Sequence, residues 1–164
     1  MRAEWLIAET EGLLVVHKPA GLLTHATADR SRENLVDLLR QARPDLTELT
    51  LQHRLDRETS GVIVVAKDSA SASALGKALA VGQFSKWYLA IVCGALPQGR
   101  SEAWEAIGRF DDAPPHWRVS PEGQAARSIF EPLAVSECGL SLCALQPVTG
   151  RTNQLRIHSA HRDA

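Results

Sequence analysis

The stretch His53-Arg54-Leu55-Asp56-Arg57-Glu58-Thr59-Ser60-Gly61-Val62-Ile63-Val64-Val65-Ala66-Lys67 joins a dense polar cluster to a β-branched run. A short apolar run behind turn residues reads as a buried strand. The polar cluster then reads as a loop on the edge of that strand, where a rigid scaffold can hold reactive groups still. Asp56 lies between Arg54 and Arg57 and is expected to stay ionised, because nearby cations favour the charged form. Such a carboxylate can act as nucleophile, base or cation partner. The loop alone leaves all three open.

Upstream, Trp5 to Ala8 and Leu13 to Val16 read as short strands broken at Glu11-Gly12. Lys18-Pro19-Ala20-Gly21 ends the second, since proline stops a ladder and glycine permits a positive φ. Taken alone, Lys18 reads as a solvated turn residue. Leu35, Leu38, Leu39 and Ala42 fall at helical spacing, with Asn34 or Ser31 as cap and Pro44 beyond the end. Downstream, Ser69 to Val81 reads as a helix capped by Ser69 and stopped by Gly82. A strand follows over Ser85 to Val92. Residues 97 to 123 are rich in proline and glycine, with short strands at Ala103 to Ile107 and His116 to Val119. Gln124 to Val135 and Leu140 to Leu145 form a further pair turned at Glu137-Cys138-Gly139. Past Pro147 the chain becomes helical, with Thr152 as cap. Many strands and few helices, without strict alternation, predict an α+β fold around a mixed, largely antiparallel central sheet flanked by helices and loops.

The 164 residues suffice for one domain with a real core. A formal net charge of −1 argues mildly against a nucleic-acid partner and leaves room for a local basic face. Three cysteines, Cys93, Cys138 and Cys143, suit a reducing compartment and no disulfide framework. Glu4 interrupts any apolar leader and no run approaches spanning length, so a cytoplasmic protein off the membrane is the default. No feature sets an oligomeric state, and a monomer is the expectation.

Metal binding would need paired spacings such as Cys-x-x-Cys or His-Glu-x-x-His, and none occurs. No metal is expected. His158 and His161 stand beside arginines, which repel a cation, so the bland reading is buried cysteines and surface histidines. Glycine-rich phosphate loops and Gly-x-Ser-x-Gly are also missing. Asp56 and Glu58 would make a carboxylate pair only if their segment is extended. What remains is Asp56 with Arg54, Arg57, Arg151 and Arg156, plus Tyr88. A buried salt-bridge network would explain that set. Its place against a strand, at a cost to stability, favours a functional site for an anionic ligand.

Four segments, in order, resemble the RluA-type pseudouridine synthases. They are Leu14-Val15-Val16-His17-Lys18-Pro19-Ala20-Gly21, His53-Arg54-Leu55-Asp56 with Thr59-Ser60-Gly61, Lys86-Trp87-Tyr88-Leu89-Ala90, and Thr149-Gly150-Arg151-Thr152-Asn153-Gln154-Leu155-Arg156-Ile157-His158. Gly123-Gln124-Ala125-Ala126-Arg127 fits a weaker strand pattern. His17 stands where the family usually has Asn, and Asn153 where it usually has His. The resemblance implies the pseudouridine synthase fold and an isomerase that detaches uracil, rotates it and rejoins it through carbon, without a cofactor. It implies Asp56 as the catalytic aspartate, Tyr88 against the target uracil and Arg156 as partner of the aspartate. It implies RNA contacts at Arg54, His53, Lys18 and Arg151, on ribosomal or transfer RNA. A catalytically impaired RNA-binding protein of the same fold is the alternative. The family's domain usually runs on past the fourth segment. Residues 1–164 are therefore expected to be one catalytic domain short of its last strands and helix, with no RNA-binding domain ahead of Trp5.

Overall fold

A computed structural model describes residues 5–29, 31–94 and 99–162. The N-terminal residues Met1 to Glu4 and the chain end at Ala164 lie outside these residues. The chain divides into two compact units, Met1–Gln83 and Phe84–Ala164. No helix among the described residues is long and apolar enough to cross a membrane.

In the first unit, strands β1 (Leu6–Glu9), β2 (Leu13–Lys18), β3 (Thr50–Leu51) and β4 (Gly61–Ala66) form one antiparallel sheet in the order β1-β2-β4-β3. The β-branched run is indeed the central strand β4. Its Ile63 and Val65 are fully buried while Val62 is 53% exposed, the alternation of a strand with one wet face. Strand β2 runs two residues further than its apolar pattern suggested, so Leu14, Val16 and Lys18 all point to the buried face. Gly61 opens β4 opposite Lys18 with φ +145, and a Cβ there would touch Leu55 at an ordinary 3.4 Å. Helix α1 (Leu35–Ala42) is capped by Asn34, whose side chain accepts the Asp37 N–H, and it buries Leu35, Val36 and Leu39. Helix α2 (Ser69–Ala80) starts one residue earlier than expected in its capping: Asp68, not Ser69, accepts the Ser71 N–H at 2.7 Å. A carboxylate answers the positive end of the helix better than a hydroxyl. Gly82 follows at φ +73.

Glu9 at the end of β1 joins Arg43 at 2.7 Å and Lys67 at 2.8 Å. Hydrogen bonds from Arg43 first, then Lys67, hold its carboxyl down at about 2. The triad ties the first strand to the end of α1 and the exit of β4.

In the second unit, β5 (Tyr88–Cys93), β6 (Ser101–Ala103), β9 (Ser128–Val135) and β10 (Leu140–Pro147) form an antiparallel sheet in the order β5-β10-β9-β6. Strands β7 (Ile107–Phe110) and β8 (His116–Val119) make a separate ribbon. Val92, Ala103, Phe130, Cys143 and Leu145 form a core under the sheet, with Tyr88, Ala90 and Leu155 packed on it. The opposite face leaves Leu89 and Ile91 exposed. The α+β character and the antiparallel pairing agree with the sequence reading; the strands are shared among two four-stranded sheets and the ribbon. All three cysteines are free, and only Cys143 is buried.

The β9 strand begins at Ser128, four residues later than predicted. Residues 124–127 spend their backbone groups elsewhere. Gln124 exchanges hydrogen bonds with Ile107, and the Arg127 carbonyl accepts the Val148 N–H. Helix α3 (Gln154–His161) follows Asn153, not Thr152, as its cap.

Candidate active site

The 53–61 loop is not extended. The Thr59 N–H donates to the Asp56 carbonyl at 3.1 Å across a turn, so Asp56 and Glu58 do not share a strand face. The exposed Arg57 guanidinium turns to Glu58 at 2.6 Å. The picture of Asp56 clasped between two arginines therefore does not hold for Arg57.

The last residue of β2 and the loop after it hold this turn. Thr24 Oγ1 donates to the Leu55 carbonyl at 2.6 Å and accepts the Leu55 N–H at 3.2 Å. The Gly21 N–H donates to the Arg57 carbonyl at 2.8 Å. Lys18 Nζ donates to the same carbonyl at 3.1 Å, and to those of Pro19 at 2.9 Å and Leu22 at 2.7 Å. Lys18 has no exposed surface, so neither the solvated-turn reading nor a direct grip on RNA fits it. A lysine has three N–H groups, and here all three are taken by backbone carbonyls. Burial pushes its ammonium below the usual lysine range, opposed by the negative charges of Glu58 and Asp56. The alternation of Leu14, Val16 and Lys18 was the signal that pointed it inward.

His53 and Arg54 precede the turn. His53 Nε2 accepts the Val64 N–H at 3.0 Å, just beyond the two-residue β3. One ring nitrogen thus completes the strand ladder rather than facing a ligand. Arg54 is exposed and borders an open groove of 610 Å³ that also takes in His25, Arg40, Gln52 and His53, over a floor including Leu49 and Leu51. Asp37 lines the same groove and pairs with Arg40 at 3.3 Å.

The second unit carries Tyr88, Arg151 and Arg156. Tyr88 opens β5 opposite Leu145, and it packs on the core that also receives Leu155. Arg156 is exposed on α3 and borders a cleft of 530 Å³ with Trp117, Asn153 and His161. Arg151 is half-buried, and its Nε donates to the Ala125 carbonyl at 3.0 Å.

Gln154, to which the sequence reading gave no role, organises the start of α3. Its Oε1 accepts the Thr149 hydroxyl at 2.6 Å and the Arg151 N–H at 3.0 Å. Its Nε2 donates to the Arg127 carbonyl at 2.8 Å and Ser128 Oγ at 2.9 Å. Asn153 takes the left-handed conformation, φ +53, and makes no capping bond with its side chain. Asn is among the few residues other than glycine that tolerate this conformation. Behind Gln154, His158 is fully buried, against the surface reading, with Nδ1 on Ser128 Oγ and Nε2 on the Glu105 carbonyl, each at 2.9 Å. A carbonyl only accepts, so Nε2 carries a proton. Among the described residues no three His, Cys, Asp or Glu side chains gather as a metal site would require.

Residues 12–161 match the family model described as RNA pseudouridylate synthase. The uncharacterized RNA pseudouridine synthase YhcT of Bacillus subtilis is 35% identical over 159 residues, covering 94% of this chain and 53% of that relative. Ribosomal large subunit pseudouridine synthase C of Yersinia pestis is 35% identical over 162 residues, covering 97% and 50%. A solved structure of human RNA pseudouridylate synthase domain containing 4 superposes with a TM-score of 0.78 at 28% identity, covering 98% of this chain and 65% of that one. The chain spans about half the length of the curated relatives it matches. With a family model matching residues 12–161 and a solved family structure superposing over 98% of its length, the chain belongs to the RNA pseudouridylate synthase family.

Proposed function

We propose that this chain isomerises uridine to pseudouridine in structured RNA, ribosomal or transfer RNA, with Asp56 at the centre of the chemistry. The observation that carries the reading is the pinned turn. Asp56 sits between two residues whose backbone is fixed by buried side chains and a glycine N–H. A carboxylate on such a platform is pre-organised for reaction.

The reaction breaks the N1–C1′ bond of uridine and forms a C5–C1′ bond; C5 gives up its hydrogen and N1 gains one. The uracil that leaves carries negative charge, so the site needs cations for it and an oriented carboxylate for the sugar or base. In this reading Asp56 supplies the carboxylate, Arg156 secures its charge, and Tyr88 packs against the detached uracil and helps keep water away. Arg54 reaches the RNA as the target nucleotide leaves the stack, a step that costs a few kcal/mol. His53 and Arg151, each partly engaged with backbone, line the approach. Lys18 serves by holding the turn. The residues 1–164 act in this reading as one catalytic domain, with affinity drawn from a few salt-sensitive contacts.

The test is to incubate the protein with unmodified total RNA from a strain lacking it and to map pseudouridines. New pseudouridine at defined uridines is expected. RNA bound in a salt-sensitive manner with no new pseudouridine would instead favour the impaired RNA-binding protein.

A further inference from the structure

We infer that Thr24 is a positioning residue for the reaction, fixing the backbone from which the Asp56 carboxylate is presented. The inference rests on the assignment of Asp56 above. Thr24 lies in the loop between β2 and α1, 31 residues before Leu55, and is 3% exposed. Its single hydroxyl oxygen both donates to the Leu55 carbonyl and accepts the Leu55 N–H, at 2.6 and 3.2 Å. In a β-ladder those two groups would be answered by another backbone; here one side-chain atom answers both. Leu55 is 8% exposed and its side chain lies under Gly61, the first residue of β4. On the far side of Asp56, the Arg57 carbonyl takes the Gly21 N–H and the Lys18 ammonium. Asp56 is the one residue between the two clamps, and neither clamp uses its side chain. The Cα of Asp56 is thus held from both neighbours.

The two clamps differ in what a substitution removes. Lys18 also binds Pro19 and Leu22, so its loss disturbs the turn after β2 as well. Among the described residues the side-chain hydrogen bonds of Thr24 go to Leu55 alone, which makes Thr24 the cleaner probe of the geometry at Asp56. Thr24→Val keeps the side-chain shape and removes both bonds; Thr24→Ser keeps the hydroxyl and removes a methyl group. Neither changes charge at any RNA-facing surface.

The experiment measures steady-state pseudouridine formation and RNA affinity for parent, T24V and T24S, with amide hydrogen exchange at Leu55. In T24V, kcat falls by about 10²-fold, the scale expected when a reacting group shifts by about 1 Å. RNA affinity stays near that of the parent, and T24S recovers most of the rate. The Leu55 amide of the parent, although in a loop, exchanges as slowly as the Ile63 amide of β4. A T24V protein with the parent's kcat, a loss confined to KM, or a T24S protein as slow as T24V would overturn the role. Should T24V not fold, a fast-exchanging Leu55 amide in the parent overturns it equally. A parent that makes no pseudouridine overturns the function itself, and this role with it; an active parent indifferent to T24V overturns the role alone.

Discussion

The loop around Asp56 and the segment around Arg156 are both polar and motif-bearing, and they are held by opposite means. The first contributes mainly backbone. Its carbonyls and N–H groups are gripped by Lys18 at the end of β2 and by Gly21 and Thr24 in the loop after it, more than thirty residues earlier. The second is held from within. Gln154, two residues before Arg156, reaches back to Thr149 and Arg151 and across to Arg127 and Ser128. The residues that would act and the residues that hold them are separate in the first case and neighbours in the second. Substitutions that disturb the Asp56 loop should therefore map far from it in sequence, whereas those that disturb Arg156 should map beside it.

The largest effect should come from Lys18→Met, which keeps the length of the side chain and leaves the carbonyls of Pro19, Leu22 and Arg57 without that partner. Relief from burying a charge offsets part of the loss, and a net cost of about 2–4 kcal/mol is expected in urea unfolding. A cost near zero would show that Gly21 and Thr24 suffice to hold the turn. Gln154→Ala comes next, at about 1–3 kcal/mol. Its mark should be local, with faster amide exchange from Arg151 through Arg156 and no change around Leu55. Spread of that change into the 53–61 loop would break the comparison.

The smallest effect concerns the Glu9, Arg43 and Lys67 triad, remote from both segments. The carboxyl of Glu9 sits at about 2, below its ordinary 4.5, because Arg43 and then Lys67 donate to it. Its contribution to stability is therefore complete above about 4.5 and is lost as pH falls through about 2. Glu9→Gln should flatten the stability–pH curve in that window, and salt should shrink the difference, since the group is partly exposed. An unchanged curve would mean that the triad adds nothing in solution.

Much of the fold was legible because it follows local rules. The β-branched run became the central strand, Asn34 capped α1, and the turn at Gly139 took a positive φ. The misses came where a side chain far away, or a backbone group diverted from its ladder, decided the outcome. By its neighbours in sequence Lys18 belongs to a solvated turn, yet strand alternation carries it to the buried face with Leu14 and Val16. Residues 124–127 looked like strand and instead serve Ile107 and the 148–154 segment. Asp68 displaced Ser69 as a cap, and Asn153 displaced Thr152. Within the candidate site, the motif segments named the residues proposed to act. Thr24 was invisible, because a threonine in a loop signals nothing until the residue it clamps is known.

The central claim is that Asp56 performs the chemistry and its loop exists to present it. Uridine loses the hydrogen on C5 when that carbon joins the sugar, so RNA labelled with tritium at uracil C5 reports the step itself. Tritium release should be readily measured with the parent chain and absent with Asp56→Asn, at unchanged RNA affinity. Release by Asp56→Asn at the parent's rate would contradict the account.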